Sequence, residues 1–184
     1  MNKLIQSLRE IIQFLEKEKI SYMIIGGLAN SFYGNPRQTF DIDIKFDLED
    51  ERVNDFIDQL SLIGHFAVDD PIAFLKETSV IPIDIKNVRI NLVKCQLSFE
   101  KEAIGRAEQK KLFGLNGFVC TAEDLIIQKA VSVREKDWMD ISAIIHLQNL
   151  TLDWDYLTQH VKDLSEFLDD PEIWKRLEKL KNES

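Results

Sequence analysis

Hydrophobic positions along the chain change period several times, and each change predicts a new element. Residues 2–19 repeat apolar side chains at every third or fourth position, which predicts an amphipathic helix. Residues 22–25 are continuously apolar and predict a short buried strand, and residues 28–34 are expected to form a short helix. Residues 40–47 alternate strictly between apolar and polar side chains, which is the pattern of a strand with one buried face.

The rest of the chain shows a mixed pattern up to residue 120 and a helical one after it. We expect strands at residues 66–68, 80–86, 88–94, 110–113 and 118–120, and helices at 50–62, from Asp70 onward and at 97–107. Beyond Thr121, which can cap a helix, the predicted helices span residues 122–133, 136–150, 153–168 and 171–182. The sequence therefore predicts an α+β protein. Residues 1–120 would form a mixed sheet flanked by helices, and residues 121–184 a helical C-terminal region packed on the same domain.

Composition argues against several classes of protein. With 184 residues, 45% of them hydrophobic, the chain is long enough for one well-buried domain. It has no apolar run of roughly eighteen residues and no signal-peptide pattern, so we expect a cytoplasmic protein without a membrane partner. Cys95 and Cys120 stand alone, which favours reduced core thiols over a zinc site. The net charge of −9 argues against broad, non-specific DNA binding.

Two carboxylates stand at the start of the alternating strand. Asp41 and Asp43 would share one face of the strand, with their Cα atoms roughly 6.5 Å apart, while Phe40 and Ile42 point into the core. Both carboxylates can reach one divalent ion or bridge two, and Mg²⁺ and Mn²⁺ prefer oxygen ligands of this kind. The same alternation also fits an ordinary strand whose polar face, including Lys45, is only solvated.

Gly26 and Gly27 end the first strand and open the next helix. Because glycine has no side chain, backbone N–H groups at such a turn can approach an anion closely, and a helix N-terminus carries partial positive charge. A need for tight geometry alone would also explain two glycines. Since the acidic pair is expected on the neighbouring strand, both features together favour a site for a metal-bound triphosphate.

Three motifs in combination resemble a known superfamily. They are Gly26-Gly27, then Arg37-x-Thr39-x-Asp41-Ile42-Asp43, then Lys129 with Arg134-x-Lys136-Asp137-x-x-Asp140. Together they resemble the minimal nucleotidyltransferases of the DNA polymerase beta-like superfamily, in particular the AbiEii-type toxins. Lincosamide and aminoglycoside nucleotidyltransferases share the first two motifs. The resemblance covers residues 20–147 and implies a nucleotidyltransferase-like fold, a nucleoside triphosphate as substrate, Mg²⁺ or Mn²⁺ as cofactor, and a cognate antitoxin as a further partner.

The resemblance also implies roles for individual residues. Nucleotide contacts are implied for Gly26, Gly27, Arg37, Thr39, Lys129 and Asp137, and metal binding and catalysis for Asp41 and Asp43. Lys129 would be the basic residue placed against the triphosphate. For Arg134 and Asp137, three residues apart on one helix, a local ion pair is the alternative interpretation.

One position departs from the superfamily pattern. The superfamily places a third catalytic carboxylate on a later strand, and Asn91 stands at the matching position. An amide oxygen can coordinate a metal, but it carries no charge and cannot act as a general base near neutral pH. If residues 87 and 88 form a two-residue turn, Asp84 lies directly opposite Asn91 and offers a replacement metal ligand. A one-residue change of register would turn Asp84 to the other face, and a merely exposed strand residue is the alternative.

Three functions are compatible with these features. The leading hypothesis is transfer of a nucleoside monophosphate from a nucleoside triphosphate to a hydroxyl of RNA, protein or a small molecule, as part of an abortive-infection or toxin–antitoxin system. The second is a binding or regulatory protein of the same fold, left nearly inactive by Asn91. The third is a phosphohydrolase of the haloacid dehalogenase type. It is disfavoured because residues 34–38 are not the apolar strand that such enzymes place before the first aspartate.

Overall fold

The helices and strands follow nearly the predicted order. The computed structural model describes residues 3–36, 38–132 and 134–183. Its α-helices are α1 (Lys3–Lys17), α2 (Gly26–Tyr33), α3 (Val53–Leu60), α4 (Pro71–Thr78), α5 (Ser98–Arg106), α6 (Ala122–Ala130), α7 (Glu135–Gln148), α8 (Trp154–Phe167) and α9 (Pro171–Glu183). Its strands are β1 (Ser21–Ile25), β2 (Asp41–Asp47), β3 (His65–Phe66), β4 (Val80–Ile85), β5 (Val88–Lys94), β6 (Glu108–Leu112) and β7 (Leu115–Val119). A single 3₁₀ turn, Asp50–Arg52, precedes α3.

All seven strands described form one mixed sheet in the order β3-β4-β5-β2-β1-β7-β6. β2 runs antiparallel to β1 and parallel to β5, which places it at the centre. β4 and β5 form one antiparallel hairpin, and β6 and β7 form another. The predicted fold class, a mixed sheet flanked by helices with a helical C-terminal region, is confirmed.

The chain divides into two compact units. The first contains Met1–Leu28 and Gln38–Cys120, and therefore holds the whole sheet with α1, α3, α4 and α5. The second contains Ala29–Arg37 and Thr121–Ser184, and is helical where it is described. Helix α2 starts in the first unit and continues into the second. The predicted packing of residues 121–184 on the core stays a prediction.

The buried face of β2 forms the centre of the first unit. Ile42, Ile44 and Phe46 are fully buried, as the alternation predicts, and Phe46 stacks on Phe56 of α3 with 5.2 Å between ring centroids. The expectation that Phe40 also points into the core is wrong, because its side chain is 74% exposed. The strand begins only at Asp41, so Phe40 lies outside the pleat that buries its neighbours.

Thr121 caps α6 in the second unit, as predicted, and its hydroxyl accepts a hydrogen bond from the backbone N–H of Asp124 at 3.1 Å. The α6 helix is tied to α8 by the Tyr156 hydroxyl, which donates to the Asp124 carboxylate at 2.9 Å.

None of the helices described is both long and apolar enough to cross a membrane. Cys95 and Cys120, both in the first unit, are buried, and neither is in a disulfide.

The expected register between β4 and β5 is wrong. Lys86 and Asn87 form the turn, with φ of +52° and +63°, instead of residues 87 and 88. Such φ values at both turn residues are typical of a two-residue type I′ hairpin, for which asparagine is well suited. Asp84 therefore lies opposite Arg89, while Pro82 lies opposite Asn91.

Candidate active site

Asp41 and Asp43 lie on the same face of β2, between the two neighbouring strands. Asp43 is paired in register with Ile25, the last residue of β1, and with Asn91 of β5. Asp41 is exposed and Asp43 is half-buried. The sheet therefore presents two carboxylates side by side next to the end of β1, where the glycine turn begins.

The glycine turn packs directly against the acidic strand. Gly26 has φ of +63°, and a Cβ atom added there would collide with the carboxylate of Asp43. A Cβ atom added at Gly27 would lie 2.7 Å from the hydroxyl oxygen of Thr39. Side chains at either position would fill the space beside the acidic pair, so the turn brings bare backbone to Asp43. Helix α2 starts at Gly26 itself, two residues earlier than predicted.

Neutral hydrogen-bond donors hold both carboxylates. The Thr39 hydroxyl donates to Oδ1 of Asp41 at 2.8 Å. The Asn91 side-chain amide donates from Nδ2 to Oδ1 of Asp43 at 2.9 Å. Asn91 thus lies beside Asp43 on the neighbouring strand and orients that carboxylate. Its own Oδ1 is the atom it can still offer to a cation.

Asp84 is held in an ion pair with Arg89. Nε of Arg89 donates to Oδ1 of Asp84 at 2.7 Å, and Nη2 donates to Oδ2 at 3.2 Å. The hydrogen bond from Arg89 holds the pKa of Asp84 below its usual value. Asp84 is therefore paired two residues away from Asn91 along β5, and Pro82 takes the place opposite Asn91. Sequence reasoning missed Arg89, although its spacing of two from Asn91 on a strand was a signal that both share a face.

The polar face of β2 is more than a solvated surface. Lys45, two residues beyond Asp43, is buried and forms an ion pair with Glu100 of α5. Oε2 of Glu100 also accepts from the backbone N–H groups of Gln96 at 2.7 Å and Leu97 at 3.0 Å. Burial opposes ionisation of Glu100, but Lys45 and the backbone donors outweigh it and hold its pKa below the usual value. The solvated-face interpretation thus fails for Lys45.

The donor set suits a hard divalent cation. The carboxylates of Asp41 and Asp43 and the amide oxygen of Asn91 are oxygen ligands of the kind that Mg²⁺ binds, together with waters and substrate phosphates. Within the described residues, no group of three or more His, Cys, Asp or Glu side chains could hold a metal ion. Asp41 and Asp43 could therefore supply two charged ligands to such a cation, and Asn91 one neutral ligand.

A second charged cluster lies in the helical unit. Nζ of Lys129 on α6 donates to Oδ1 of Asp137 at 3.0 Å and to Oδ2 of Asp140 at 2.7 Å, both on α7. Nε of Arg134 and the Ser132 hydroxyl each donate to Oδ2 of Asp137, at 2.6 and 2.7 Å. The ion pair between Arg134 and Asp137, offered as an alternative to a site role, is therefore present. The nucleotide roles of Lys129 and Asp137 stay predictions, and Arg37 lies outside the described residues.

Solved structures of nucleotidyltransferases share this fold. The antigenic nucleotidyltransferase-like protein from Paracoccidioides brasiliensis has a TM-score of 0.56 and 15% identity, with 96% of this chain and 92% of that chain covered. ANT(2")-Ia in complex with adenylyl-2"-tobramycin has a TM-score of 0.60 and 14% identity, with 90% and 99% covered. Lincomycin-bound lincosamide antibiotic adenylyltransferase LnuA has a TM-score of 0.53 and 16% identity, with 77% and 96% covered. At such identities, the similarity concerns the fold.

Family membership rests on the sequence. No curated protein matches the chain significantly. A family model described as nucleotidyltransferase of unknown function (DUF6036) matches residues 2–183, which is nearly the whole length. The chain belongs to this nucleotidyltransferase family, and its mixed sheet is the fold that solved nucleotidyltransferases display.

Proposed function

We propose that this protein is a metal-dependent nucleotidyltransferase that moves a nucleoside monophosphate from a nucleoside triphosphate to an acceptor hydroxyl. The observation that carries the proposal is the direct packing of the Gly26-Gly27 turn on Thr39 and Asp43. This packing puts bare backbone, suited to phosphate, beside two carboxylates suited to a cation.

The residues of the first unit supply positioning and charge. Asp41 and Asp43 would hold Mg²⁺ or Mn²⁺. The bound cation would neutralise the negative charge that develops on the oxygens around the α-phosphorus. Thr39 and Asn91 fix the two carboxylates through one oxygen each. The acceptor oxygen attacks the α-phosphorus, the bond from that phosphorus to the bridging oxygen breaks, and pyrophosphate leaves. Asn91 cannot take the acceptor proton, so the proton would pass to Asp41 or Asp43, the two carboxylates of β2 next to the glycine turn.

A finer class is also proposed. The three motifs that resemble AbiEii-type toxins support a role in an abortive-infection or toxin–antitoxin system, with a cognate antitoxin as partner. The acceptor there would be an RNA end, a protein or a small molecule. Co-expression with the neighbouring gene, followed by a growth assay, tests this class, because toxicity of the chain alone should be relieved by its partner.

One observation favours a second candidate, a nucleotide-binding protein without turnover. The amide of Asn91 donates to an oxygen of Asp43 that a metal ion would also use. Asn91→Asp distinguishes the candidates, because a third carboxylate restores the superfamily pattern. If the wild type only binds, Asn91→Asp should gain transfer. If the wild type already transfers, the substitution changes the rate of an existing activity.

The central experiment measures label transfer from each α-labelled nucleoside triphosphate, with Mg²⁺ or Mn²⁺, to mixtures of RNA, protein and small hydroxyl compounds. We expect transfer by the wild type and a loss of at least about a hundredfold in Asp41→Asn/Asp43→Asn. Asp47→Asn is the matched control, because Asp47 shares the strand and face but lies at its other end. Transfer that survives in the double variant would contradict the site.

A further inference from the structure

Four polar side chains form a row across one face of the sheet, beginning at the acidic pair. Asp41 of β2 is in register with Arg89 of β5, Arg89 with Asp84 of β4, and Asp84 with His65 of β3. Residues paired in register point to the same face, and neighbouring strands lie about 4.8 Å apart. Arg89 therefore lies next to Asp41 on β5, the strand that flanks β2 on the opposite side from β1.

Arg89 turns its guanidinium to Asp84, although Asp41 is also an in-register neighbour of Arg89. The pair is bidentate, and both side chains remain exposed, Arg89 to 45% and Asp84 to 38%. Asp41 takes its hydrogen bond from Thr39. Exposed ion pairs add little to the free energy of unfolding. The main effect of the pair between Arg89 and Asp84 is therefore to fix the position of the guanidinium. Asp84 keeps Arg89 beside Asp41 without letting it neutralise that carboxylate.

The held guanidinium can still bind an anion. Arginine has five N–H donors, and the bonds to Asp84 use two of them. The remaining donors suit the oxygens of a phosphate group, which arginine recognises through paired hydrogen bonds. The exposed side chain of Phe40, directly before Asp41, adds an apolar surface on which a ring can stack.

The strand order separates this arginine from the proposed triphosphate site. The glycine turn follows β1, Arg89 lies on β5, and β2 with Asp41 and Asp43 runs between them. A triphosphate bound at the glycine turn would present its α-phosphorus at β2, so an acceptor approaching from the other side would meet Arg89.

We propose that Arg89 binds a phosphate group of the acceptor close to its reacting hydroxyl, and that Asp84 is the residue that positions Arg89. The inference rests on the proposed nucleotidyl transfer and deepens it. It makes the acceptor a phosphate-bearing molecule, either a polynucleotide end or a small phosphorylated sugar.

Direct binding tests the proposal without requiring turnover. A labelled RNA oligonucleotide with a free 3′ hydroxyl, and separately ribose 5-phosphate, are titrated into protein saturated with Mg²⁺ and a non-hydrolysable ATP analogue. Arg89→Gln should lower the affinity for the phosphate compound that binds by about tenfold. It should also lower the salt dependence of that affinity by about the amount expected for one phosphate contact. Its affinity for the ATP analogue should not change. Lys111→Gln, which removes one exposed positive charge on the edge strand β6, should leave both affinities unchanged.

The two phosphate sources give different results. Binding of the oligonucleotide but not of ribose 5-phosphate indicates a polynucleotide end, and the reverse indicates a small sugar phosphate. Equal binding of both compounds by wild type and Arg89→Gln, or no binding of either, overturns the inference. So does loss of ATP-analogue affinity in Arg89→Gln, which would move Arg89 to the triphosphate. Label transfer to tobramycin or to an acidic protein in preference to both phosphate compounds also overturns it.

The positioning role of Asp84 has its own readout. Asp84→Asn should raise the KM for the phosphate-bearing acceptor while leaving kcat and the affinity for the ATP analogue within about twofold. Asp84→Glu, which keeps the carboxylate, should recover most of the affinity. A change in thermal stability without any change in KM would overturn the role. If the wild type fails to bind the ATP analogue at all, the proposed function fails, whereas the oligonucleotide titration, repeated without the analogue, still reports on Arg89.

Discussion

At the scale of single residues, the site depends on where a side chain is absent. Gly26 has a left-handed backbone and faces the Asp43 carboxylate so closely that a Cβ atom would collide with it. Gly114, in the turn between β6 and β7, also has positive φ, +88°, but nothing lies within 4 Å of its added Cβ atom. Both glycines therefore have a positive φ, but only Gly26 has a neighbouring side chain with which a Cβ atom would collide.

This pair allows a matched prediction. Alanine costs roughly 1 kcal/mol where φ is positive, so Gly114→Ala should lose about that much stability and keep its nucleotide affinity. Gly26→Ala should lose more stability and, because Asp43 is displaced, bind the metal–ATP complex at least about tenfold more weakly. Thermal unfolding and calorimetric titration measure both quantities. Equal nucleotide affinity in the two variants would show that the contact with Asp43 has no role in binding.

At the scale of elements, the pairing of α6 with α7 depends on a buried charge cluster. Lys129 is 7% exposed and contacts Asp137 and Asp140, while Ser132 and Arg134 also bind Asp137. Burial opposes ionisation of Asp137, but these donors outweigh it and hold its pKa below the usual value. A carboxyl group whose pKa is lowered by folding stabilises the folded state above its unfolded pKa, and this contribution is lost as the pH falls through the folded pKa.

The pH dependence of unfolding should reveal this contribution. Asp137→Asn should unfold at lower temperature than the wild type at pH 7, and the difference should shrink as the pH falls below about 4 and on through the lowered pKa of the folded Asp137 carboxyl. Asp163→Asn on α8 makes the same charge change at an exposed residue and should unfold like the wild type. Melting curves from pH 3 to 7 provide the measurement. A difference that does not depend on pH would assign the effect to packing.

The elements also show how far the sequence predicts this structure. Periodicity located the strands and helices, because it reports directly which face is buried. Sequence patterns located the turns less exactly, because several adjacent residues were each suited to a turn position. The sequence predicts the turn between β6 and β7 around Gly114 and Asn116-Gly117, yet Gly117 lies in β7, where a Cβ atom would be 3.1 Å from Ile12 and Ile24. The actual turn is Phe113 and Gly114, because packing from α1 and β1 requires glycine inside the strand.

The candidate site was predictable in part for a related reason. Asp41, Asp43 and the glycine turn are local in sequence, so spacing alone brings them together. The hydrogen bond from Asn91 to Asp43 depends on which strands become neighbours, and the superfamily resemblance supplied that position. The pairing of Arg89 with Asp84 depends on which two residues form the turn between β4 and β5. Asparagine suits several turn positions, so Asn87 alone does not distinguish a turn at residues 86 and 87 from one at residues 87 and 88.

At the scale of the whole molecule, the chain enters the helical unit twice. Residues 29–37 group with residues 121–184, although they follow the glycine turn directly. Within this unit, fully buried Asn30 donates to the backbone of Asn35 at 3.2 Å and to Asp140 at 3.4 Å. Helix α2 therefore depends on side chains that come more than a hundred residues later.

A truncated chain tests that dependence. A fragment ending at Cys120 keeps the entire sheet, Asp41 and Asp43, but removes Asp140, one of the two hydrogen-bond partners of Asn30. We expect it to lose the α2 helix and to bind the metal–ATP complex at least about tenfold more weakly than the full chain. Circular dichroism and nucleotide titration measure both. Addition of the separate 121–184 fragment should restore part of the affinity, and an unimpaired 1–120 fragment would contradict the dependence.

The crowding at Gly26 also offers a way to sort the relatives of this chain. Any other residue at the equivalent position would push the second aspartate away from its place, whatever else the sequence retained. A family member that keeps both aspartates but lacks this glycine is then expected to have lost the proposed reaction, and one that keeps all three is a candidate for biochemical work. A single column of an alignment could thus separate working enzymes from inactive descendants before any is purified.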